Sequence, residues 1–133
     1  VEYHNNEPYG IKMAQSSLPK FGYSDAQIET ITSIIASTAS HSKPSNLLEK
    51  IMCDADHDYL GRADYFNVAK KLRKELENYN HVMSDIEWIE FQLHYLENIH
   101  RFYTDTAKNI RLQAKKSRIE ELKIQLKELK AQS

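Results

Sequence analysis

The sequence predicts an all-α fold: a helical bundle closed by a long C-terminal helix. Glycine and proline are scarce, three each in 133 residues, so tight turns are few and regular elements long. Apolar residues recur at spacings of three and four along most of the chain. Alternation at period two, the signature of half-buried strands, is rare.

The elements follow in order. Residues 1–7 read as irregular. Pro8 suits the first turn of a helix, where its missing N–H would have no partner anyway. Ile11, Ala14 and Leu18 share one face to about Pro19, and Phe21-Gly22-Tyr23 makes the turn. Ser24 with Gln27 forms a capping box. The helix it opens buries Ile28, Ile31, Ile34, Ile35 and Thr38. A polar loop over residues 39–45 contains His41 and Pro44. Ser45 is placed to cap a short helix with Leu47, Leu48, Ile51 and Met52 inside, and this helix runs into an acidic cluster. Gly61 breaks it. Another helix starts near Asp64, with Tyr65, Val68, Leu72, Leu76 and Tyr79 on one face, and residues 78–82 turn the chain. Ser84 and Glu87 make the clearest capping box. Ile86, Ile89, Leu93, Leu96, His100 and Tyr103 follow on one side, and Trp88, Phe91, Tyr95 and Phe102 on a second, which predicts a central helix. Thr104 or Asp105 caps the last helix. Its positions 112, 115, 119, 122, 126 and 129 read Leu, Lys, Ile, Leu, Leu, Leu, a heptad-like spacing that suggests self-association.

Bulk properties narrow the function classes. This length makes one domain with a core of its own. The net charge of −1 supplies no global field for nucleic acid or an anionic membrane. No apolar stretch approaches the roughly 20 residues of a membrane span, and no signal peptide is visible. The single cysteine excludes an internal disulfide framework and fits a reducing, cytoplasmic setting. Phosphate-cradling glycine loops, nucleophile elbows and paired-cysteine zinc patterns are lacking. Cys53, with apolar neighbours on one side and acids on the other, reads as a buried thiol with a raised pKa. The basic run from Lys70 to Lys74 is followed by Glu75 and Glu77 and reads as a solvated helix face.

The run Cys53-Asp54-Ala55-Asp56-His57-Asp58-Tyr59-Leu60-Gly61-Arg62 is the most informative segment. It packs three carboxylates and an imidazole into five residues. On a helix, Asp54 and Asp58 share a face and Asp56 points elsewhere, so the three do not converge on one ion. It is no EF-hand, since the long loop ending in glutamate is absent. A charged helix end, with Arg62 as ion-pair partner, is the plain alternative. Among the histidines, His81, His94 and His100 read as packed or surface residues. His4 and His41 stand in polar, loop-like surroundings.

The run resembles the corresponding segment of HD-domain metal-dependent phosphohydrolases. Upstream, His4 to Glu7, Leu18-Pro19, Phe21-Gly22-Tyr23-Ser24, Gln27-Ile28, Ile34-Ile35-Ala36 and Thr38 are similar to the family's middle helices. Downstream, Glu87-Trp88, Gln92-Leu93 and Tyr95-Leu96 are similar to the last helices of one bacterial subgroup. The resemblance spans about residues 4–118, within an HD-like helical domain of residues 1–118, with residues 104–133 as a C-terminal helix and candidate oligomerisation segment. It implies an all-α bundle binding a divalent metal (Mg, Mn, Fe or similar) that activates water for attack on a phosphate ester or nucleotide. It also implies Asp56 as the late carboxylate ligand, with Asp54 as the near alternative. His4 and His41 would be further metal ligands, and Glu7 and Arg62 substrate contacts. The family's earlier histidine and its adjacent His-Asp pair belong ahead of His4. The only His-Asp dipeptide here is His57-Asp58, inside the acidic run. The expectation is therefore an incomplete site, or a non-catalytic helical interaction module. Helices missing from such a bundle would leave several hundred Å² of apolar surface bare, a loss of roughly 5–10 kcal/mol. A second copy or a bound N-terminal segment should cover it.

Overall fold

The computed structural model describes residues 6–40 and 42–132. Among them the regular structure is entirely helical: α1 (Asn6–Ser17), α2 (Asp25–Ser37), α3 (Leu47–Asp56), α4 (Tyr65–Asn78), α5 (Asp85–His94) and α6 (Asp105–Gln132). No described helix is long and apolar enough to cross a membrane. The chain divides into two compact units, Val1–Asp56 and His57–Ser133. The division falls inside the acidic run.

In the first unit α2 packs between α1 and α3. A 3₁₀ turn, Leu18–Phe21, follows α1 and closes on Gly22, whose φ of 82° lies in the left-handed region that glycine occupies without steric cost. The predicted capping box opens α2: the Ser24 Oγ accepts from the Gln27 N–H at 3.3 Å, and the Gln27 Oε1 accepts from the Ser24 N–H at 2.8 Å.

The third helix departs from its sequence reading. Its cap is Asn46, whose Oδ1 accepts from the Glu49 N–H at 3.0 Å. Ser45 instead donates its N–H and Oγ–H to the Glu49 carboxylate, at 2.6 and 2.8 Å. The predicted inner residues are exposed: Leu47 65%, Leu48 55%, Ile51 48% and Met52 45%. The reason lies in the face that meets α2. Glu49 and Cys53, one helical turn apart, take it through hydrogen bonds to Ser33 and Ser37. That places the leucine–isoleucine row in solvent.

The second unit begins with a 3₁₀ turn, Asp58–Gly61, so α3 does not continue to Asp58. Asp54 and Asp58 therefore do not share a helical face. Gly61 is buried against α6, and a Cβ there would stand 2.6 Å from the Arg111 Cβ and carbonyl oxygen. Its lack of a side chain lets α6 approach. The α4 helix ends in a Schellman arrangement, with Asn80 at φ 65° and the His81 N–H donating to the Leu76 carbonyl at 2.9 Å. Tyr79, read as part of the buried face, is exposed at this end.

The capping box Ser84–Glu87 opens α5 as expected. That helix stops at His94, however, and a π turn, Tyr95–Ile99, leads into extended chain at His100. His100 and Tyr103 are thus not on the α5 face. Thr104 caps α6 by accepting from the Ala107 N–H at 3.1 Å. The heptad-like positions of α6 turn toward their own unit. Leu122 is 1% exposed, and α6 packs on α5 and on the 58–61 turn.

Candidate functional site

The described residues expected from sequence fall in both units: Glu7, Asp54 and Asp56 in the first, Arg62 in the second. Asp54 is buried near the end of α3, while Asp56, two residues on, is exposed. Glu7 is half-buried in the first turn of α1. His4 and His41 lie outside the described residues. Among the described residues no group of three His, Cys, Asp or Glu side chains could hold a metal ion.

Cys53 behaves as its neighbours predict. Its thiol donates to the Ser37 carbonyl at 3.2 Å. Burial raises its pKa, with Asp56, Asp54 and Glu49 adding to the effect against the hydrogen bond from Ser37. The Glu49 carboxyl is held down at about 2 by the hydrogen bond from Ser33 and those from Ser45.

In the second unit Arg62 is engaged by carboxylates. Its Nε and Nη2 reach the two Asp64 oxygens at 2.9 and 2.6 Å, and its Nη1 lies 3.7 Å from Asp58. Asp58 in turn accepts from Arg111 Nε at 2.6 Å. The pairing raises the Arg62 pKa and lowers that of Asp64. This matches the plain reading of Arg62 as an ion-pair partner. A substrate anion would have to displace Asp64.

The unforeseen feature is a polar group at the start of this unit. The His57 Nε2 and the Tyr95 hydroxyl are 2.6 Å apart. The His100 ring lies 5.3 Å from the His57 ring and packs edge-on against Phe102 at 4.5 Å. His100 is 7% exposed, and among the described residues neither ring nitrogen has a hydrogen-bond partner. Burial, then the charge of Lys115, then His57, push its pKa down to about 3, so the ring is neutral. Lys115 is equally buried and donates from Nζ to the His100 carbonyl at 2.9 Å. Burial first, and Arg101 second, lower its pKa to about 8. The sequence carried one trace of this arrangement: a lysine at a heptad position that otherwise reads aliphatic. His100 gave no warning, because a histidine on an apolar stripe is ordinary.

No protein-family model, curated protein or solved structure matches the chain.

Proposed function

We propose that this chain is part of an HD-type metal-dependent phosphohydrolase acting on a phosphate ester or nucleotide, to which it contributes Asp56, and that it does not assemble the site by itself. The acidic run supports the family. The exposure of Asp56 beside the buried Asp54 leaves that carboxylate reachable by a metal held on other helices, and it is equally what a non-catalytic module predicts. A single cysteine in the sequence suits a reducing cytoplasm. The test is Mn²⁺ added to the chain and followed by NMR line broadening. Weak broadening centred on Asp56 and lost in Asp56→Asn is expected, together with no hydrolysis of bis(4-nitrophenyl) phosphate. Broadening that survives Asp56→Asn, or hydrolysis unaffected by it, refutes the assignment.

A second reading, a non-catalytic interaction module that self-associates, is favoured by the bare row Leu47, Leu48, Ile51 and Met52 on α3. Light scattering distinguishes it. A mass above that of one chain, reduced by Leu48→Asp with Ile51→Asp, supports it. A monomer at all concentrations removes it.

A further inference from the structure

The unit His57–Ser133 holds an apolar crevice of about 350 Å³ between α4, α5 and α6. Its floor is made by Ala69, Trp88, Ile89 and Leu122, all buried. Three charged residues line it: Lys70, Arg73 and Asp85. We propose that this crevice binds a single-chain amphiphile of about ten carbons with one negative charge, a medium-chain carboxylate. The proposal does not depend on the role given to Asp56.

The charges select the head group. Arg73 is spent inside the protein. Its Nη1 donates to Asp85 at 2.8 Å and its Nη2 to the Met83 carbonyl at 2.7 Å, and its guanidinium carbon lies 6.0 Å from the centre of the Trp88 ring. The fork that would grip a phosphate from two sides is therefore occupied. Asp85 cancels the charge of Arg73, which leaves the exposed Lys70 as the uncompensated charge of the lining; it makes no ion pair among the described residues. One ammonium matches one carboxylate. A doubly charged phosphate monoester would bring a second negative charge beside Asp85 without a partner. The basic run Lys70 to Lys74, a solvated face by sequence, thus has its first member at the rim of an apolar crevice.

The floor selects the rest of the molecule. An apolar cavity of about 150 Å³ accommodates benzene, so a crevice of about 350 Å³ takes a chain on the order of ten carbons. Each methylene moved from water onto this floor strengthens binding by up to about fourfold. A saturated chain also carries no polar atom that burial would leave unpaired. Chain and head group together describe a monocarboxylate whose tail lies on Trp88 and whose charge faces Lys70.

The experiment is calorimetric titration of the full chain with decanoate and, separately, with decylammonium, each below its micellar range. The two share a chain and differ in the sign of the head group. Decanoate should bind saturably, and decylammonium about four- to twentyfold more weakly, as attraction is exchanged for repulsion at an exposed cation. Lys70→Glu alters a solvent-facing side chain and should invert that order with the circular dichroism unchanged. 10-Bromodecanoate places a heavy-atom quencher at the end of the chain. It should quench Trp88, the only tryptophan, over the concentrations at which it binds. Absence of decanoate binding at millimolar concentration overturns the proposal. So does equal affinity for the two amphiphiles, an order that survives Lys70→Glu, or binding of 10-bromodecanoate that leaves Trp88 unquenched.

Discussion

Replacing His100 by leucine should separate acid sensitivity from packing in the second unit. In the native protein the imidazole is buried with both nitrogens unpaired and its pKa pressed to about 3. Unfolded, it titrates near 6.5. The folded state therefore binds fewer protons than the unfolded state between these values. Stability contributed by the neutral ring is complete above pH 6.5 and is lost as the pH falls from 6.5 through 3. Between pH 7.5 and 5 the loss amounts to about 2 kcal/mol. Depressed carboxyls such as Glu49 and Glu87 lose their contribution below their own unfolded range, near 4.5, and so stay outside this window. Leucine has nearly the volume of histidine and leaves no polar atom unpaired, so the variant should match or exceed the native stability at pH 7.5. Urea unfolding read by Trp88 fluorescence reports the relevant unit, since Trp88 and His100 both belong to it. The native midpoint should fall relative to that of His100→Leu as the pH drops from 7.5 to 5. Parallel pH profiles for the two proteins would refute the reasoning, whatever their absolute stabilities.

Three further outcomes follow from the same unit. Lys115→Met removes the second-largest cause of the low His100 pKa. Imidazole NMR should show that pKa rise while remaining below 6.5, because burial persists; a fall would contradict the account. Gly61→Ala drives a methyl group to 2.6 Å from Arg111 and should cost about 1–3 kcal/mol in urea unfolding, whereas a neutral effect would mean that α6 yields freely. Ser84→Ala removes the acceptor for the Glu87 N–H and should cost about 1 kcal/mol, with an unchanged midpoint as the contrary result.

Local rules written in adjacent residues were legible in the sequence. Both capping boxes open the helices they predicted, at Ser24 and Ser84, because each needs only side chains three residues apart. Helical periodicity found the elements for the same reason. Periodicity reports which residues share a face but not which face meets a neighbour. On α3 the hydrophobic row lost the contact to Glu49 and Cys53, whose polar partners Ser33 and Ser37 come from a different helix. The end of α5 was hidden too, since the apolar pattern runs on through the π turn to Phe102 while the backbone leaves helical geometry. Of the candidate site, the acidic run was visible as composition. The pairing of His57 with Tyr95 joins residues 38 positions apart, and no short-range pattern records it.

The closure of the α6 stripe onto its own unit has a genetic consequence. Were this helix the seam between two copies, a defective chain would enter mixed assemblies and impair its normal partners. Leu122 is instead sealed within the chain that carries it. A damaging change there, such as Leu122→Asp, should be recessive: it should unfold its own copy and leave a co-expressed normal copy at full yield.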